Sequence, residues 1–367
     1  MAKPKALQTL IDLTKSTQAL LTHYQTSLAP SQNIVAETQI TAKDLPNPLD
    51  VVETTTTLLK SHTTTLSLLL ITPPLTPSAV IAKLNDVSSG PLSGMLATAS
   101  YIPKDGESDH LGNIMRVEVK SQVRRLIGTW GDVLSLIPKM AERRQSTKKD
   151  LPPTESEKQE VLSATGVVWE ACDTLLKLCA DGIVGLVVKK AGEHRAVLLD
   201  AIEELKEWGE DIDDDDDDDD EAEHSDEDDI FGSSNKLGKD DKELKELLDT
   251  SVKKLKMIGM LYQALIKRRL KTYSASPPPA NDATNGTTTT PSKKLDELMH
   301  LMKTIPETVD DLASAFYDLD VDETQQTLDK CCAEAKSAAT VVRQSWSNTN
   351  DEFTAWSAKW VSALDAA

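Results

Sequence analysis

Residues 49–71, LDVVETTTTLLKSHTTTLSLLLI, decide the fold class. The threonine runs at 54–57 and 63–65 favour strand locally, because two heavy atoms on Cβ restrict χ1. The spacing points the other way. Val51, Thr55, Leu58, His62, Leu66 and Leu69 recur at steps of four and three, which is one face of a helix. No turn signal interrupts the segment, and Pro73 and Pro74 stop it. Length and period predict a helix, with tertiary packing overriding weak propensity. With this segment helical, no strand is needed anywhere, and the expected fold class is all-α.

The flanking sequence reads the same way. The first 28 residues carry Leu7, Leu10, Ile11, Leu20, Leu21 and Tyr24 at helical spacing. Pro77 suits the first turn of the next helix, and Gly90-Pro91 should kink or break it. Pro103-Lys104-Asp105-Gly106 reads as a turn. Residues 109–137 give the clearest period: Leu111, Met115, Val119, Leu126, Trp130, Val133 and Ile137 form one stripe, interrupted only by Gln122. Thr154 followed by Glu157 has the form of a capping box opening another helix, and Gly182 and Gly185 loosen the chain further on. Beyond residue 240, Leu244, Leu248, Ser251, Leu255, Ile258, Tyr262 and Leu265 step by alternating fours and threes. Residues 293–319, 322–346 and 351–364 are three further helical segments, the first with a kink expected at Pro306.

Charge divides this helical chain. Residues 210–229 hold sixteen carboxylates and no Lys or Arg, including eight consecutive Asp from 213 to 220. They supply most of the net charge of −20. Such a block cannot bury itself, so it marks a solvated segment between folded parts. The expected organisation is two helical-bundle domains separated by an acidic disordered segment. Residues 1–209 form the N-terminal domain, 210–239 the linker and 240–367 the C-terminal domain, the last interrupted by a low-complexity loop at 274–292.

Composition narrows the function. Aromatics make up 4% of the chain, which suits helix packing better than a sheet sandwich. The four cysteines form no CxxC pair, so they are expected as small buried side chains in a reducing compartment rather than as ligands or a disulfide framework. No apolar run approaches the ~18 residues of a membrane span. The N-terminus lacks an apolar signal region, so a soluble intracellular protein is expected. The histidines are scattered, and no HExxH, GxSxG or Walker pattern is present. No catalytic, cofactor-binding or metal-binding residue is therefore assigned.

Three features remain open to more than one use. The stripe 244–265 fits core packing in a bundle or a zipper contact with another chain. Lys267, Arg268, Arg269 and Lys271 fit a dipole-favoured, solvated helix end, a nucleic-acid patch or a nuclear import signal. The acidic block argues against direct nucleic-acid binding. That block is a plain linker, an attractor of basic proteins, or a switch phosphorylated at Ser225, which precedes Asp226, Glu227 and Asp228.

Four motifs occur in order. They are Pro103-Lys104-Asp105-Gly106, Val168-Trp169-Glu170-Ala171-Cys172, Glu227-Asp228-Asp229-Ile230-Phe231-Gly232 and Val309-Asp310-Asp311-Leu312-Ala313. With the chain length and the acidic interruption, this arrangement resembles the cyclin-D1-binding protein 1 family, also called Grap2 and cyclin-D-interacting protein, over roughly residues 45–345. The octa-Asp run and the 274–292 insert depart from the family pattern. The resemblance implies an all-helical protein with N- and C-terminal domains, resident in nucleus and cytoplasm. It also implies binding to D-type cyclins and helix-loop-helix partners, and negative regulation of cell-cycle progression, with no catalytic residues. The competing expectation is an acidic chaperone or scaffold for basic proteins such as histones.

Overall fold

The threonine-rich segment is a helix, α2 (Pro48–Ile71), in the computed structural model, which describes residues 2–30, 47–102, 111–147, 151–210, 237, 241–274 and 290–367. Its β-branched side chains are accommodated by bonding backward. Thr55 Oγ1 donates to Val51 O (2.7 Å), Thr63 to Leu59 O (2.7 Å) and Thr64 to Lys60 O (2.8 Å). The Asn47 side chain caps the start by accepting from Leu49 N. The buried face is Val52, Thr56, Leu59, Thr63, Leu66, Ser67 and Leu70, rotated by about one residue from the expected stripe; Leu58 is 46% exposed. Runs of identical threonines and leucines give neighbouring faces no contrast, so period alone could not select between them.

Every described element is helical. After α1 (Ala2–Ser27) and α2 come α3 (Pro77–Val87) and α4 (Ser93–Ser100), joined by a π-helical turn at Ser88–Leu92. Gly90-Pro91 therefore does not break the chain. A widened turn carries the missing Pro91 N–H, and coiling continues through it. Then follow α5 (Gly112–Thr147), α6 (Glu155–Glu210), α7 (Lys242–Arg268) with a 3-10 turn at Leu270–Thr272, α8 (Pro291–Tyr317), α9 (Val321–Val341) and α10 (Glu352–Ala366). The fold is all-α, as expected. Among the described residues no helix is long and apolar enough to cross a membrane. The turn at 103–106, Ser225, and the acidic and low-complexity segments (210–239 apart from Glu210 and Leu237, and 274–292 apart from its ends) lie outside the described residues.

The chain packs as two compact units, Met1–Ile183 and Val184–Ala367. In the first, α1 runs antiparallel to α5, with Arg124 Nε donating to Gln25 O (3.1 Å) and Gln145 Nε2 to Gln8 Oε1 (3.2 Å). Leu10, Ile11 and Leu21 of α1, and Leu126, Trp130 and Leu134 of α5, are buried. The first arm of α6 opens with the expected capping box: Glu157 N donates to Thr154 Oγ1 (3.1 Å), and Thr154 N to Glu157 Oε2 (2.8 Å). The same carboxylate accepts Arg143 from the end of α5 (2.6 Å). Within the second unit, Tyr262 on α7 donates its hydroxyl to Met302 O on α8 (2.6 Å), and Trp360 on α10 donates to Met257 O on α7 (2.9 Å).

Composition sets a boundary at 209/210, whereas packing assigns residues 184–210 to the second unit. Arg195 Nε donates to Gly259 O, and Tyr317 Oη to Glu204 Oε1. Trp208 lies against Phe316 and Tyr317 at ring-centroid distances of 6.0 and 5.4 Å. α6 and α7 approach so closely that a Cβ on Gly209 would sit 2.1 Å from Leu248 Cδ2. A charge run reports where the chain prefers solvent, not where one core gives way to another.

The joint between the two arms of α6 is Gly182, at φ 60° and ψ −166°. Essentially only glycine occupies that region, and a side chain there costs about 1–3 kcal/mol. A Cβ at Gly182 would meet nothing within 4 Å, so any penalty is purely conformational. Gly182→Ala should therefore lower unfolding stability by about 1–3 kcal/mol. Gly192→Ala, on the same helix with open space and no positive φ, should be neutral or gain up to about 1 kcal/mol. Equal urea midpoints for the two variants would contradict this.

Candidate functional site

The basic cluster closing α7 has two fates. Arg268 pairs with Glu352 at the surface (2.6 Å). Arg269 is buried, with 1% exposure, against the expectation of a solvated helix end. Its Nη1 and Nη2 donate to the two carboxylate oxygens of Asp351 (2.7 and 2.8 Å), Nε donates to Val342 O (2.6 Å) and Nη2 to Arg343 O (3.0 Å). Its guanidinium carbon lies 4.3 Å from the centre of the Phe353 ring. Trp346 closes the arrangement by donating Nε1 to Arg269 O (2.8 Å). Asp351 is also the N-cap of α10, accepting from Thr354 N (3.1 Å). Arg269 thus joins the end of α7, the carbonyl end of α9 and the start of α10. Its carboxylate partner lies 82 residues away, so no local pattern announces it. Arg269 itself is therefore unavailable to nucleic acid or an import receptor.

Asp351 is held near a pKa of about 2 by the Arg269 hydrogen bonds, assisted by Thr354 and opposed by partial burial. The other groups singled out from sequence do not assemble a reaction centre. Leu244, Leu248, Ser251, Leu255, Ile258, Tyr262 and Leu265 are all buried in the second unit, which uses up the heptad-like stripe as core. All four cysteines are free thiols. Burial pushes Cys172 up to about 12 and Cys179 to about 11, disfavouring the reactive thiolate. Among the described residues no cluster of His, Cys, Asp or Glu has the arrangement of a metal site. Ser225 and the octa-Asp run lie outside the described residues.

The first unit instead presents an apolar seam. The Lys60–Asp173 ion pair and the bond from Trp169 Nε1 to Thr64 Oγ1 (3.2 Å) set α2 and the first arm of α6 side by side and antiparallel. Trp169 keeps 40% of its surface exposed. Leu68, one turn beyond Thr64, is 56% exposed; Leu162, two turns before Trp169, is 49% exposed. Helical spacing places all three along the outer line where the two helices meet. Gly166 lies among them, and a Cβ there would meet nothing within 4 Å. Ser61, Thr65 and Ser163 are short polar neighbours, and the Lys60–Asp173 pair lies one turn along from Thr64 and Trp169. Such a surface can receive the apolar face of another helix.

Two of the sequence motifs fall on described surface. Trp169 belongs to the 168–172 motif. Asp310 belongs to the 309–313 motif on α8, and its carboxyl is held above the ordinary range by partial burial and then by Asp311, Glu204 and Glu307. Comparison with known proteins agrees with the motifs. Residues 51–211 match the model of the Grap2 and cyclin-D-interacting family's N-terminal region, and residues 212–337 match its C-terminal region. An uncharacterized protein of Schizosaccharomyces pombe is 23% identical over 316 residues, spanning 86% of this chain and 83% of the relative. The chain belongs to the Grap2 and cyclin-D-interacting protein family.

The buried Arg269 sets a stability expectation. Arg269→Ala removes the donor to Val342 O and leaves Asp351 and Arg343 O with Thr354 alone. It should cost about 3 kcal/mol, the low end for removing one member of a buried pair, because the Asp351 side chain keeps 36% exposure. The folded pKa of Asp351 lies below its ordinary 3.8, so the pairing contributes fully above about pH 4. The contribution is lost as pH falls from about 4 through about 2. Urea unfolding across this range should show wild type and variant converging toward acid. A constant difference would refute the linkage.

Proposed function

We propose that this family member is a non-enzymatic protein-interaction regulator that restrains cell-cycle progression by binding a cyclin-like or helix-loop-helix partner in cytoplasm and nucleus. The family match is the observation that carries this reading. The α2–α6 seam supports a mechanism in which an amphipathic partner helix lays its apolar face along Leu68, Leu162 and Trp169. A half-exposed tryptophan is the side chain most often found at the energetic centre of such an interface. The acidic block at 210–229 would add electrostatic steering, which accelerates encounter and weakens as salt rises.

A second reading rests on the same sixteen carboxylates: an acidic chaperone or scaffold for basic proteins such as histones. The two readings differ in what the acid does. Steering adjusts the association rate of a complex held by apolar contact, whereas a chaperone holds its client by the charge itself.

Trp169→Ala should weaken binding of a D-type cyclin or helix-loop-helix protein by about 2 kcal/mol, roughly 30-fold, with helical circular dichroism unchanged. Unaltered affinity would remove the seam from the mechanism. Deleting 210–229 should slow association and flatten its salt dependence while the complex survives. Loss of every partner on that deletion would instead favour the chaperone reading.

A further inference from the structure

The second unit holds a cleft unrelated to the apolar seam. It lies where the α8–α9 hairpin opens and has a volume of about 390 Å³. Lys294 from the first turn of α8, Thr340 and Val341 from the end of α9, and Arg343, Gln344 and Asn350 from the following loop line it. No carboxylate is among these residues, in a chain carrying 60 acidic and 40 basic side chains. We propose that this cleft binds a phosphoryl dianion.

Three observations favour an anion with this geometry. First, neither cation is neutralised among the described residues. Among the described residues the Arg343 guanidinium makes no ion pair, and the Lys294 ammonium donates to the neutral amide oxygen of Asn348 (2.9 Å). Asp351, the carboxylate that follows the lining residue Asn350, is occupied by Arg269. Second, two carbonyls just past the end of α9, which would repel an anion, are already occupied. Arg269 donates to Val342 O and Arg343 O, and Thr354 Oγ1 also donates to Arg343 O (2.9 Å). At the same end of the hairpin, the start of α8 contributes the positive end of its helix dipole. Third, the lining has the right chemistry. A planar guanidinium fork suits two phosphoryl oxygens, a lysine adds a point charge, and the Gln344 and Asn350 amides supply neutral donors. Gln344 Nε2 donates to Asn350 Oδ1 (3.3 Å), which leaves the Asn350 amide nitrogen for a ligand.

The dianion has two sources, a phosphorylated serine or threonine of a protein or free inorganic phosphate. Calorimetric titration of the full chain at low salt and about pH 8, where phosphoserine (second pKa about 6) and inorganic phosphate are both mainly dianions, tests the site. Three probes are needed: inorganic phosphate, a phosphoserine peptide and the same peptide without phosphate. The phosphorylated probe should bind and the bare peptide should not. Lys294→Ala and Arg343→Gln should each weaken binding by roughly tenfold, as loss of a charged hydrogen bond does, and the double variant should abolish it with the urea midpoint unchanged. A peptide that outbinds inorganic phosphate assigns the cleft to phosphoproteins, and equal affinities assign it to the free ion. The proposal is overturned if the wild type binds neither at millimolar concentration, or if binding survives in the double variant. The Trp169→Ala variant should keep phosphate binding, so failure of the cyclin-type reading and failure of this site are separable.

Discussion

A guanidinium with 1% exposure is an expensive object inside a helical bundle. Taking a charge out of water costs several kcal/mol even after relaxation, and only excellent geometry offsets it. Arg269 meets that condition by filling its donors with Asp351 and the carbonyls of Val342 and Arg343, and by placing its flat face over Phe353. The second unit's C-terminal architecture depends on this. α9 ends at Val341 because the next carbonyls turn inward to Arg269. α10 begins at Glu352 because its N-cap carboxylate is anchored there. A purely apolar junction could glue the same three ends together, but it would not fix their register, since apolar contact is not directional.

That interaction explains both what was legible in the sequence and what was not. Helices are local objects, so their period is visible within a window of a few turns. Every residue of the stripe 244–265, and every apolar residue of the stripe through Trp130, is buried. Capping is also local, and Thr154 with Glu157 announces its bond in four residues. Arg269 is different because its carboxylate is 82 residues distant. In sequence it is one of four basic residues closing a helix, where dipole logic favours a solvated charge. Only the fold separates the buried Arg269 from its surface neighbour Arg268. The rotated face of α2 failed for another reason: with threonine and leucine at nearly every position, the pattern carries too little contrast to fix an angle.

The boundary between units has the same character. Residues 184–210 precede the acidic run, share its helix with the first unit, and fall with that unit in the family's N-terminal match, 51–211. Yet Trp208, Arg195 and Glu204 find their partners on α7 and α8. Gly182 reconciles the two views. Its backbone turn lets one continuous stretch of chain serve two cores, so a single helical segment of 56 residues belongs to neither core alone. A sequence boundary defined by charge and a packing boundary defined by burial need not coincide, and here 26 residues lie between 183/184 and 209/210.

The distribution of charge then bears on function in a way that net charge does not. Of the net −20, sixteen negative charges sit in one short block of sequence, leaving −4 for the rest of the chain. A folded surface near neutrality can hold local excesses of either sign without long-range cancellation, because screening confines each to roughly a Debye length, about 8 Å at physiological salt. The apolar seam at Trp169 belongs to the first unit, and the carboxylates around Asp310 and the cationic cleft at Arg343 belong to the second. Concentrating the acid in one stretch of sequence leaves the remainder of the chain with a net charge of only −4. Spread over the helices, the same sixteen charges would pair with Lys294 and Arg343 and place anions along the seam, and both surfaces would lose the property that distinguishes them.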